Sequence, residues 1–233
     1  MPPALCRLFA TVLIFYQPSD PTAMWLKYYA AISQDYRHHF PSSKNLVKQL
    51  TDIIDALDAP IPQECISCRD RLNPTQQQAF DCIIDHVIRG EPCAFFIDGP
   101  GGTGETFLYN ALYAEVCLMK KIVLPTATSG ITASNIPSGR TAHSRFKILV
   151  DSESSLACDV PKQGSLAALI KETTLIIWDE ASMEKKENVE SLDLLLRDLC
   201  NPDALFGGKL VVFGGDTHML SNKQYPRQKR GID

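Results

Sequence analysis

The stretch Cys93-Ala94-Phe95-Phe96-Ile97-Asp98-Gly99-Pro100-Gly101-Gly102-Thr103-Gly104-Glu105-Thr106 decides how this chain folds. Its first five residues are an apolar run bounded by turn residues, as in a strand buried on both faces. A glycine-rich loop follows, and a helix is expected from Thr106 to about Met119. Strand, loop and helix N-terminus in that order match the phosphate-loop layout G-x-x-x-x-G-K-[ST]. Glycines let successive backbone N–H groups turn inward around phosphate oxygens, and the helix N-terminus adds positive potential. Gly99, Gly101, Gly102, Thr103 and Gly104 are the expected cradle, and Thr106 supplies a hydroxyl suited to Mg²⁺. A tight glycine turn without a ligand is the alternative, and the strand–loop–helix setting argues against it.

Glu105 departs from the pattern, which places a lysine there against the β- and γ-phosphates. An attraction is lost and a repulsion gained beside a polyanion. At ~4 Å each such pair is worth roughly 1 kcal/mol in water and about 4 kcal/mol at an effective dielectric of 20, so the swing is on the order of 2 to 8 kcal/mol. Even the lower figure weakens binding about thirtyfold.

Three more strands are expected on either side of helical stretches: Lys121 to Leu124, Thr174 to Trp178 and Leu210 to Phe213. A helix face is marked by Phe80, Ile83, Ile84 and Val87 and closed by Gly90, and another helix spans Glu187 to Leu199. Strands alternating with helices predict an α/β fold, a parallel sheet covered on both faces. Upstream, Leu46, Leu50, Ile53, Ile54 and Leu57 fall at helical spacing, and the prolines of Asp58 to Pro62 end that helix. The expected organisation is a helical segment over 1–70, the phosphate-loop domain over 71–220 and a basic tail over 221–233.

Two acidic sites follow strands. Asp179-Glu180 comes directly after Leu175 to Trp178; Asp179 can hold Mg²⁺ and Glu180 can activate water. An acidic turn capping the next helix is the alternative. Gly214-Gly215-Asp216 follows the last strand, so Asp216 is expected at the sheet edge where open α/β sheets take ligands.

Composition narrows the classes. The chain has 233 residues, 45% hydrophobic and 21% charged, with net charge −4, an ordinary globular balance. Nucleic-acid binding through bulk positive charge is disfavoured, while a local basic groove stays open. No apolar run reaches the ~18 residues of a membrane span, so no membrane partner is expected. Leu8 to Tyr16 is preceded by the single Arg7 and lacks both a strong basic n-region and a small-residue cleavage site, which argues for an intracellular, unsecreted chain. Of the eight cysteines only Cys65 and Cys68 form a C-x-x-C pair, without the second pair a structural zinc needs, so reduced thiols are expected.

Taken in order, these motifs resemble a superfamily-one DNA helicase of the petite-integration-frequency (PIF) family, and especially its Helitron-transposon relatives. The resemblance runs from about Leu72 to Asp216. Leu72-Asn73-Pro74-Thr75-Gln76 is similar to the family's Q motif, which implies that Gln76 reads adenine. Thr126 to Gly130 and Gly139 to Phe146 resemble its single-strand-contacting segments, implicating Thr126, Ser129, His143 and Phe146 in DNA contact. Trp178 to Met183 resembles the Mg²⁺ and water-activating motif, and Phe206 to Asp216 the third motif. The resemblance implies a RecA-like P-loop NTPase lobe, ATP and Mg²⁺ as cofactors and single-stranded or forked DNA as partner. It also implies ATP-driven 5′-to-3′ unwinding in DNA repair, recombination or telomere maintenance, and a nuclear location.

Beyond Glu105, the family's γ-phosphate-sensing glutamine is replaced within Thr217-His218-Met219, where Met219 cannot donate or accept as an amide does. The family's second RecA-like lobe is not among these 233 residues, and a separate chain that supplies it is one open alternative. A truncated, impaired helicase lobe is therefore the first expectation. A non-catalytic module binding nucleotide, single-stranded DNA or a partner is the second. A small phosphate-loop kinase is disfavoured, because no arginine cluster for a lid precedes the tail.

Overall fold

The computed structural model describes residues 43–99, 104–149 and 158–216. By its internal contacts the chain divides into two units, Met1–Lys48 and Gln49–Asp233, and the sheet and the candidate site lie in the second. The expected helix around residue 50 is α1, Ser43–Leu57, and it stops before the prolines. Ile53 and Leu57 pack partly against the core, whereas Leu50 and Ile54 stay nearly half exposed, so the buried stripe is narrower than the spacing suggested. A single turn, α2 (Gln63–Ile66), and a 3₁₀ turn (Arg69–Arg71) lead to α3, Pro74–Arg89.

Helix α3 has well-formed ends. Asn73 and Gln76 form a reciprocal capping box, Pro74 opens the first turn, and Gly90 closes the helix in the left-handed conformation. The face expected from the sequence, Phe80, Ile83, Ile84 and Val87, is buried as a set.

Five strands form one parallel sheet among the described residues, in the order β1-β5-β4-β2-β3. They are β1 (Ala94–Asp98), β2 (Ile122–Ala127), β3 (Arg140–Thr141), β4 (Thr173–Asp179) and β5 (Leu210–Gly215). The connecting helices are α4 (Glu105–Leu118), α5 (Gly130–Ala133), α6 (Ala142–Phe146), α7 (Ser165–Glu172) and α8 (Lys186–Leu199). The two-residue β3 had no apolar signal to betray it. It exists through its register with β2, Thr126 opposite Arg140 and Ala127 opposite Thr141.

Side-chain alternation along β4 fills two cores. Leu175 and Ile177 join Val123 and Val212 under α3 and α4, through Phe80, Ile83, Leu108, Leu112 and Val116. Ile176 and Trp178 join Leu124, Val211 and Phe213 under α7 and α8, through Ile170, Leu192, Leu195, Leu196 and Leu199. Both faces are thus covered over β2, β4 and β5, whereas β1, expected to be buried on both faces, lies at the sheet edge with one neighbour and leaves Ala94, Phe96 and Asp98 exposed. Pro125, inside β2, looks out of place for a central strand. Its outer side has no strand beside it, because β3 begins opposite Thr126, and the buried Arg145 donates there to the Pro125 carbonyl at 3.3 Å.

No helix among the described residues is long and apolar enough to cross a membrane. Their seven cysteines are free thiols.

Ile177 is fully buried on the central strand. Ile177→Ala is expected to destabilise the fold by about 2–5 kcal/mol, read as a lower denaturant midpoint at unchanged slope.

Candidate nucleotide site and strand-facing surface

Parallel strands end on a common edge, and this edge collects Asp179, Glu180 and Asp216, singled out in the sequence, together with Asp98, which was not. Asp98 lies opposite Gly215 in the β1–β5 register, and Ala127 opposite Asp179 in the β2–β4 register. Asp216 follows β5 directly. The glycine loop leaves β1 at the buried Gly99 and enters α4 at Gly104, whose φ of 86° is one that L side chains rarely adopt. Gly101, Gly102, Thr103 and Met219 lie outside the described residues, as do Leu8 to Tyr16 and the basic tail.

Gln76 bridges the start of α3 and the loop's exit. Its side-chain oxygen accepts from the Asn73 N–H at 3.0 Å, and its amide nitrogen donates to the Gly104 carbonyl at 3.2 Å. A β-carbon at Gly104 would come within 2.9 Å of that nitrogen.

Glu105 and Thr106 form the first turn of α4, both half-buried. Burial raises the Glu105 carboxyl, and the negative fields of Asp179, Asp98 and Asp216 push it further, to about 7. One Glu105 oxygen, Oε1, is buried without a hydrogen-bond partner. One turn on, Tyr109 is fully buried with its hydroxyl unpartnered, and burial beside Asp179 and Glu105 holds that phenol well above its ordinary range. Gly214 accommodates this ring, since a β-carbon there would overlap the Tyr109 hydroxyl.

Asp179 is 4% exposed, and burial raises its carboxyl against the opposing pull of the Glu180 N–H, which donates to Oδ1 at 2.8 Å. Glu180 takes the left-handed conformation, φ 55° and ψ 29°, a geometry that turns the chain from β4 into the 3₁₀ turn Ala181–Met183. The donor chemistry of Thr106 and Asp179, a hydroxyl and a carboxylate, fits a hard divalent cation. A charged Glu105 does not fit a phosphate chain at the same place.

The residues expected on a DNA track part company. Ser129 is half-buried and caps α5, accepting from the Thr132 N–H at 3.2 Å. His143 is half-buried with Nε2 3.3 Å from the Asn188 amide, which donates to Glu184 at 2.7 Å. Thr126 and Phe146 are 0% exposed. Thr126 turns its hydroxyl onto the Leu124 carbonyl, and the Phe146 ring packs 6.3 Å from Trp178, so neither side chain presents a surface to a strand. The physical reason is that α6 is amphipathic: Ala142, Arg145 and Phe146 form its inward face, and a phenyl ring gains more from core burial than from exposure.

The sequence did not single out Thr128, Tyr109 or Arg145. Thr128 lay within a quoted segment, but only packing shows that its hydroxyl meets the Trp178 indole and the Glu180 carbonyl.

Comparison with known proteins agrees with this geometry. A family model described as PIF1-like helicase matches residues 71–224. The ATP-dependent DNA helicase PIF4 of Trypanosoma brucei brucei is 30% identical over 155 residues, covering 64% of this chain and 18% of that protein. The ATP-dependent DNA helicase PIF1 of the same organism is 30% identical over 167 residues, 71% of this chain and 16% of that protein. The chain thus spans under a fifth of the length of these relatives. The crystal structure of Bacteroides sp Pif1 in complex with ADP-AlF4 superposes with a TM-score of 0.50 at 27% identity, covering 68% of this chain and 34% of that one. An α/β sheet with a glycine loop after β1, an Asp-Glu pair closing β4 and a family match across both make this chain a member of the PIF1-like helicase family.

Proposed function

We propose that this chain is the nucleotide-binding, strand-contacting first lobe of an ATP-dependent DNA helicase, with a hold on nucleotide weakened by Glu105. The observation that carries the reading is the single sheet edge at which the glycine loop, Asp179, Glu180 and Asp216 emerge together. In this reading the backbone of Gly99, Gly101, Gly102, Thr103 and Gly104 cradles phosphates, and Thr106 and Asp179 hold Mg²⁺. Glu180 orients water and accepts its proton. Gln76 lies on the adenine side and also sets the loop's exit through Gly104. Asp216 completes the acidic rim. Single-stranded or forked DNA is the partner, met by the half-buried Ser129 and His143 and the exposed Arg140 and Ser144, with a nuclear setting to match. Unwinding needs a second lobe, whichever polypeptide supplies it.

The second reading is a non-catalytic relative that retains the fold for nucleotide, strand or partner binding. One observation favours it: Glu105 gathers with Asp98, Asp179 and Asp216 where the phosphate-loop layout expects a cation.

Titration with Mg²⁺-ATP at pH 8, on this chain and on Glu105→Lys, tests the site. The lysine variant is expected to bind at least about thirtyfold more tightly. Equal binding would remove Glu105 from the phosphates. DNA-stimulated ATP turnover by the lysine variant separates the helicase reading from the non-catalytic one.

Acidity offers an independent check. Below pH about 7 the Glu105 carboxyl takes up a proton and loses its charge, so its repulsion of a polyanion fades as pH falls. Nucleotide affinity is expected to rise from pH 8 to pH 6 more steeply in this chain than in Glu105→Gln. The variant serves as reference because the phosphates titrate over the same range.

A further inference from the structure

Three backbone and side-chain bonds converge on one residue that neither the motifs nor the family match assigns. The Thr128 N–H donates to the Asp179 carbonyl at 3.1 Å, which carries the β2–β4 pairing one residue past the end of β2. The Thr128 hydroxyl donates to the Glu180 carbonyl at 2.9 Å and accepts from the Trp178 indole N–H at 3.2 Å. All three consecutive residues at the end of β4 are therefore tied to Thr128. Glu180 depends most on this tie, because its left-handed backbone is one that a non-glycine residue adopts only when its surroundings hold it there. On the other side, Thr128 leads directly into Ser129 and Gly130, the turn that caps α5 and carries the exposed Ile131. Trp178 is itself immobilised, fully buried between Phe146 at 6.3 Å and Phe213 at 6.1 Å.

We propose that Thr128 is a positioning residue that couples occupancy of the Thr128–Gly130 turn by a nucleic-acid strand to the backbone of Asp179 and Glu180. The inference rests on the reading of that turn as strand-facing and of the Asp-Glu pair as the hydrolytic carboxylates. A strand settling on the turn shifts residue 128, and the hydroxyl bond to the Glu180 carbonyl passes the shift to the residue whose carboxylate orients water, while the bond from Trp178 reports it. Hydrogen-bond networks of this kind are one physical carrier of coupling between sites. A hydroxyl that both donates and accepts provides it, whereas the isosteric methyl of valine would not.

Trp178 makes the coupling visible, because its indole N–H is one end of the network. Trp25 is the other tryptophan in the chain, and Trp25→Phe leaves Trp178 as the sole tryptophan, excited apart from the tyrosines at the red edge of the absorption band. In that background the full chain is titrated with a dye-labelled thymidine oligonucleotide, with binding read by anisotropy and Trp178 by its own emission. The expected result is an emission change at saturation that persists in Thr128→Ser and is lost in Thr128→Val, while the anisotropy still reaches saturation in all three. Binding with the emission change intact in Thr128→Val overturns the proposal. So does binding by the parent without any emission change, a result that needs no variant to fold. Absence of an anisotropy response removes the strand-facing reading and the coupling with it, and so differs from a failure of the coupling alone.

Discussion

The pairing of β4 between β2 and β5 is the constraint on which the rest of the molecule depends. Its residues Leu175 to Trp178 are held on both sides by parallel neighbours, and they point alternately into the two cores. Slipping β4 by one residue would exchange the two faces and send Trp178 under α4 instead of α8. With register pinned by that burial, Asp179 has only one place to emerge, at the edge shared with Ala127 and the end of β5. The chemistry of the edge is therefore a consequence of packing well behind it. The burial that raises the Asp179 carboxyl is a consequence of the same pairing.

Among the described residues at that edge, Glu105 works against its setting. A lysine there would neutralise the surrounding carboxylates; a glutamate adds to them. The fold tolerates this because the carboxyl can meet the cost by taking up a proton near neutrality instead of staying charged among Asp179, Asp98 and Asp216. The unpartnered Glu105 Oε1 and Tyr109 hydroxyl sit in the same region. Polar groups buried without partners are uncommon in folded proteins. The family that contains this chain includes helicases several times its length.

The surface beside the Asp-Glu pair shows how one segment divides its labour. Within Gly139 to Phe146, Arg145 and Phe146 turn inward: the guanidinium holds the Pro125 and Ser138 carbonyls, and the ring seals Trp178. Burial, with Arg140 nearby, lowers the Arg145 guanidinium to about 10. His143 and Ser144, on the opposite face of the same short helix, retain access to solvent. A segment that reads as uniformly polar is thus half scaffold and half surface.

The amino-acid sequence by itself determined the α/β class, four of the five described strands, the helix face of Phe80 to Val87 and the positions of the glycine loop and the Asp-Glu pair. These are legible because they rest on local patterns: apolar runs, helical spacing, and glycine where backbone must approach a ligand. It also determined the Glu105 departure, since that is a matter of residue identity. Tertiary structure alone decided the strand order, the two-residue β3, the inward turn of Thr126 and Phe146, and the meeting of Thr128 with Trp178 and Glu180. Each of these depends on contacts between residues far apart in the chain, such as Thr128 and Glu180 across 52 positions. No periodicity encodes such a contact, because it is created only when separate apolar faces compete for the same core.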